Sequence, residues 1–121
     1  MLTLGSPRRW VTWDAGGIDL LLSPLTEDRN ADFVRECVLL IDGPDGEPRL
    51  ERDSARYARM VGAECIHDWR RVLGTDGNPV PHSAERAGEL MLIRPAQAFI
   101  IEQVRGLSLW LAQEAGAAKK G

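Results

Sequence analysis

The N-terminal part of the chain alternates apolar and polar residues as a β-hairpin does. The apolar positions that share one sheet face are Val11, Trp13, Ile18, Leu20 and Leu22. Between the two runs, Gly16 and Gly17 allow the positive φ of a tight turn. The pattern predicts a hairpin over residues 8–23, which must dock on other elements because two strands alone are marginally stable.

The remaining apolar positions recur at helical spacing. We predict helices at about 27–41, 53–66, 83–93 and 95–115, and a flexible C-terminal tail at 116–121. Thr26, Asp53 and Ser83 are predicted N-caps, and Pro95 suits the first turn of the last helix. The expected fold class is mainly α with an N-terminal β-hairpin (α+β), with about four helices packed as a small single-domain bundle over residues 1–115.

Composition narrows the class of protein. The 121 residues are 44% apolar and 27% charged, which suits one globular domain. The net charge of -3 argues against a nucleic-acid partner, because duplex binding needs a basic face. There is no apolar run of about 20 residues to span a membrane, and Arg8 and Arg9 interrupt the apolar stretch that a signal peptide needs. We therefore expect a cytoplasmic protein with no membrane partner.

Residues capable of catalysis or metal binding are few. A thiol nucleophile could be built from Cys65, His67 and Asp68, but adjacency in sequence does not create a triad. We favour a buried Cys65, a buried Cys37, and polar roles for the other two at a helix end. A metal site from Cys65, His67 and His82 is the alternative, yet neither Cys-x-x-Cys nor His-x-x-x-His occurs. The sequence predicts no catalytic residue, cofactor or metal, and thus no enzyme.

Tryptophans supply the candidate protein-binding residues. Trp10 and Trp13 lie on opposite faces of one predicted strand, so both cannot enter one core. Trp110 lies off the apolar stripe of the last helix. Large aromatic side chains left outside a core often mark binding surfaces, so we nominate Trp10, Trp13 and Trp110. Arg70 and Arg71, with Trp69, could instead stack on a base or bind an anion, although an arginine covering a half-buried tryptophan is the commoner arrangement.

The segment from Trp69 to Ser83 resembles a known family. An apolar helix leads into a tryptophan, a short run ending in Val-Leu, an acidic-Gly turn, and prolines before a capped helix. The matching residues are Trp69, Val72, Asp76, Gly77, Pro79, Pro81 and Ser83. This pattern resembles the tail assembly chaperones of long-tailed bacteriophages and prophages, as do the hairpin and the helix opening at Pro95. His67-Asp68 departs from the family, which has more apolar residues there.

The resemblance implies a non-enzymatic role in virion morphogenesis. Such chaperones bind the tape-measure protein and tail-tube subunits in the host cytoplasm and are absent from the finished particle. The family includes rings and monomers, so an oligomer is compatible with it. It also commonly makes a longer form by frameshifting, with which Lys119-Lys120 is compatible. The alternatives are a structural head-tail or tail-completion virion protein, a generic bacterial protein-interaction module, or a small enzyme. We expect the client surface around Trp10 and Trp110.

Overall fold

A three-stranded antiparallel sheet forms one side of the core. The computed structural model describes the backbone of residues 7–120 and the side chains of residues 7–107. Strands β1 (Arg9–Trp13) and β2 (Ile18–Leu22) form the N-terminal hairpin, and β5 (Ile66–Arg70) pairs with the other edge of β2. The alternation predicted for the hairpin is confirmed, because Ile18, Leu20 and Leu22 are buried.

A bulge in β5 sets which of its side chains enter the core. Leu20 lies opposite Trp69, but Leu22 lies opposite Ile66, so the pairing shifts and His67 is the extra residue. Ile66 and Trp69, three positions apart, therefore both face the core and are buried. The predicted helix 53–66 ends at Cys65 instead, and strand β5, which the sequence pattern does not predict, begins at Ile66.

Four helices cover the inner face of the sheet. They are α1 (Glu27–Glu36), α2 (Ser54–Cys65), α3 (Ala84–Leu90) and α4 (Arg94–Lys120). The predicted caps are confirmed, since Thr26, Asp53 and Ser83 each accept a hydrogen bond from the backbone three residues later. The largest fully buried side chains are Leu20, Leu22, Val61, Ile66, Met91, Ile100, Val104, Cys37 and Cys65.

The predicted fold class is wrong, because a second antiparallel sheet replaces the end of the predicted helix 27–41. Helix α1 stops at Glu36, and the Cys37 amide closes its last turn on Phe33 O. The chain then forms β3 (Val38–Asp42) and β4 (Pro48–Arg52), joined by a turn in which Gly43 N donates to Glu47 O at 2.7 Å. The described residues thus form an α+β fold with four helices and five strands, not a mainly helical bundle.

The last helix is longer than predicted. Helix α4 continues past residue 115 to Lys120, through most of the segment predicted as a tail. None of the described helices combines the length and apolar character needed to span a membrane.

Candidate protein-binding site

The segment that resembles the chaperone family forms an ordered loop. Two backbone bonds of 2.9 Å hold it as a short ladder, from Val80 N to Val72 O and from Gly74 N to Asn78 O. At its tip, the Asp76 carboxylate accepts bonds of 3.0 Å from the Asn78 backbone amide and side-chain amide. These bonds lower the pKa of Asp76. Gly77 has a φ of 80°, the left-handed conformation that favours glycine.

Trp69 anchors this loop to the sheet. Its indole Nε1 donates to Val80 O at 2.7 Å, and only 8% of the residue is exposed. The His82 ring meets the indole edge-on, with centroids 5.2 Å apart. His82 Nε2 lies 2.9 Å from Ile66 O, and because a carbonyl only accepts, that nitrogen carries the hydrogen. Trp69 is therefore part of the core, and its buried ring is unavailable for stacking on a base.

An open apolar cleft of about 680 Å³ lies between this loop and the α3–α4 corner. We call it the motif cleft. Its walls include Trp69, Val72, Leu73, Asp76, Pro79, Val80, Pro81, Arg86, Glu89, Leu90 and Ile93. Leu73 and Ile93 are 59% and 54% exposed at its mouth, while Arg86 and Glu89 form an ion pair at 3.0 Å. An apolar floor with a charged rim is the common make-up of a protein-binding surface.

Most residues of the family-like motif thus meet at one cleft. Gly77 shapes the tip of the loop, and the Ser83 hydroxyl accepts from Arg86 N at 3.0 Å to begin α3. What sequence reasoning missed is the opposite wall, Leu90 and Ile93. The sequence placed both in a helix and contained no indication that they would face the loop.

Of the nominated tryptophans, Trp10 and Trp13 have described side chains, and these lie on opposite faces of β1. Trp10 is 38% exposed on the outer face of β1, and the Arg70 guanidinium carbon lies 4.0 Å from the centre of its ring. Trp13 points to the inner face, where its ring stacks on Phe99 with centroids 6.0 Å apart. Trp110 belongs to α4, but its side chain lies outside the described residues. Of the described pair, Trp10 is the ring presented to solvent.

The polar cluster around the bulge has the character of a structural contact. Burial raises the pKa of the Cys65 thiol to about 12, so it stays protonated at neutral pH. His67 Nε2 lies 2.8 Å from the buried Ser23 hydroxyl, and Asp68 accepts from the Trp69 amide at 2.8 Å. The carboxylate is thus engaged by the backbone. Within the part of the chain that is described, no three His, Cys, Asp or Glu side chains are placed to hold a metal ion.

A second exposed apolar surface is the β3–β4 ribbon, which we call the arm. Leu40 and Leu50 lie opposite each other on it, and they are 72% and 71% exposed, respectively. The predicted helix 27–41 included Val38 and Ile41, which instead lie in β3. The turn residues from Gly43 to Gly46, between two runs of similar length, were the feature that could have revealed a hairpin.

No family model, curated protein or solved structure matches this chain. The functional proposal therefore rests on the motif residues and on the exposed apolar side chains described above.

Proposed function

We propose that this chain is a non-enzymatic phage tail assembly chaperone that binds the tape-measure protein and tail-tube subunits in the host cytoplasm. The motif cleft is the observation that supports this most directly. The loop that resembles the chaperone family is folded around Trp69 and forms one wall of an open apolar cleft. This loop connects β5 to α3 and leaves Leu73 exposed in the same cleft as the exposed Ile93, and neighbouring exposed apolar side chains often mark a protein-binding surface.

The cleft suits an amphipathic client helix. Such a helix would lay its apolar face against Leu73, Leu90 and Ile93 and leave its polar face in water, which is a common mode of recognition. Full burial of one such side chain contributes about 1.5–3 kcal/mol, and about half of that remains to be gained for Leu73 and Ile93. Covering the apolar face of a long client helix in this way would keep it soluble before assembly.

The test compares two neighbouring residues at the α3–α4 corner. Ile93 lines the cleft, whereas Leu92 is 43% exposed and lies outside it. Each is changed to Asp, and the tape-measure protein that co-purifies with each full-length variant is measured. Ile93→Asp places a charge in the apolar contact, so we expect binding to fall by about tenfold or more.

Leu92→Asp is the matched control, because it adds the same charge one residue away. We expect it to retain binding to within about twofold, which is under 0.5 kcal/mol. Equal losses from both variants, or no loss from Ile93→Asp, would show that the cleft is not the client site.

A further inference from the structure

The arm extends from the domain, and among the described residues its sheet consists of β3 and β4 alone. It is tied to the domain at its base, where Asp53 N donates to Cys37 O at 2.8 Å and the Arg56 side chain donates to Glu36 O at 3.1 Å. Beyond these bonds, Leu40 and Leu50 are exposed on one face and Leu39 on the other. A two-stranded ribbon is marginally stable alone, so a further strand at its edge would stabilise the arm and give these apolar side chains cross-strand neighbours.

The two edges of the arm differ in chemistry. Strand β4 contains Pro48, Arg49, Glu51 and Arg52, and proline and charged residues are what natural proteins place on edges that must stay unpaired. Strand β3 is apolar from Val38 to Ile41 and contains no proline. No other described strand pairs with its outer edge. The unprotected edge of the arm is therefore β3.

The hydrogen-bond phase of the arm determines which groups this edge presents. The bonds at Cys37–Asp53 and Gly43–Glu47 show that the odd-numbered residues of β3 bond to β4. Val38, Leu40 and Asp42 consequently direct their backbone N–H and C=O groups away from β4. The edge thus carries three donors and three acceptors in a regular row.

We propose that β3 pairs antiparallel with β3 of a second copy of this chain, with the two-fold axis at Leu40. In this register Leu40 faces the partner's Leu40, and Val38 faces the partner's Asp42. All three outward donors and all three acceptors of each strand are then used. The same surface is used on both copies, as a two-fold dimer requires.

This register places no like charges directly opposite each other. The strands run in the order β4, β3, the partner's β3, the partner's β4, and leucines from all four strands form the central row on one face. In each flanking row on that face, Asp42 of one copy lies in line with the partner's Arg52. On the opposite face, Leu39 lies across from the partner's Ile41, while Arg49 pairs within β4 with Glu51 at 2.8 Å. No row contains like charges only.

The pairing buries a five-residue edge, which is less than the roughly 800 Å² per partner that stable interfaces bury. We therefore expect a reversible dimer. The dimer proposal depends only on the arm, so a failure of the client proposal would not affect it.

Two cysteine variants of the full chain test the register. Leu40→Cys places two thiols across a hydrogen-bonded pair with Cα atoms about 5.5 Å apart, within the range that disulfides span. Leu50→Cys is the matched control, because Leu50 is equally exposed but lies three strand spacings, about 14 Å, from the partner's Leu50. Both natural cysteines are buried, so the wild-type chain gives the background.

Under mild oxidation at high protein concentration, we expect a covalent dimer from Leu40→Cys and none from Leu50→Cys. Equal cross-linking of the two variants, or no cross-linking of either, would overturn the proposal. Sedimentation velocity provides an independent measurement. The wild-type mass should rise above 13.4 kDa with concentration, Leu40→Lys should stay monomeric, and Leu50→Lys should still dimerise. A wild-type chain that stays monomeric at all concentrations would also overturn it.

Discussion

Replacing Gly62 with alanine should destabilise the protein, although alanine is the better helix former. Gly62 lies in α2, where this change alone would gain about 1 kcal/mol of helix propensity. The added Cβ, however, would lie 2.5 Å from Met91 Cγ and 2.9 Å from Ala87 O. The methionine can move, but the carbonyl is backbone of α3, so the helix must shift. Overpacking of this kind costs about 1–3 kcal/mol, so we expect a net loss of about 1 kcal/mol.

Gly106→Ala is the matched control, because a Cβ there would have no neighbour within 4 Å. Gly106→Ala should gain about 1 kcal/mol of helix propensity without a steric clash. The changes in unfolding free energy of the two variants should therefore have opposite signs and differ by about 2 kcal/mol. Urea unfolding followed by far-UV circular dichroism measures this as midpoint shifts of roughly half a molar each way. A stabilised Gly62→Ala variant would refute the close α2–α3 packing that positions one wall of the motif cleft.

Three further predictions concern Trp69, which anchors the loop, His67 in the β5 bulge, and the composition of the phage particle. Trp69→Phe should cost about 1 kcal/mol, because it keeps an aromatic ring in the core and loses the bond to Val80 O, whereas Trp69→Ala should cost about 3–5 kcal/mol. A Trp69→Phe variant as stable as the wild type in urea unfolding would refute the role of that bond. Burial and the positive charges of Arg8 and His82 lower the pKa of His67 below its ordinary 6.5. The folded state therefore binds fewer protons than the unfolded state, and stability should fall as pH drops below 6.5, with a smaller fall in His67→Gln. Mass spectrometry of purified phage particles should detect none of this chain, since a virion subunit would be retained.

Local chemistry was sufficient to predict the hairpin and the helix starts. Apolar and polar residues alternate with a period of two in the two runs of the hairpin, and the sheet buries Ile18, Leu20 and Leu22 on the predicted face. Thr26, Asp53 and Ser83 cap helices because each side chain accepts the amide three residues on, an interaction within one turn. Such features need no information from distant parts of the chain.

The second sheet was missed because its first strand has no diagnostic period. The residues from Cys37 to Ile41 are a continuous apolar run, which fits a buried strand or the end of a helix equally well. The turn at Gly43 and the pairing with β4 favour the strand over the helix, but the residues of β4 are mostly polar. Alternation in β4 is carried by Leu50 alone, which is too weak a pattern to identify a strand.

Strand β5 was missed because a bulge breaks its alternation. Ile66 and Trp69 both enter the core only because His67 is an extra residue in the ladder with β2. The motif cleft was beyond sequence reasoning for a related reason. Its loop wall was predicted as a turn, but its other wall, at Leu90 and Ile93, depends on how the α3–α4 corner packs.

The most direct test of the central claim is the solubility of a phage tape-measure protein expressed with and without this chain. A chaperone that covers apolar client helices should move the tape-measure protein into the soluble fraction and co-purify with it, and Ile93→Asp should lose both effects while Leu92→Asp keeps them. If the tape-measure protein is equally soluble without this chain and neither tail protein co-purifies with it, the chaperone proposal is contradicted.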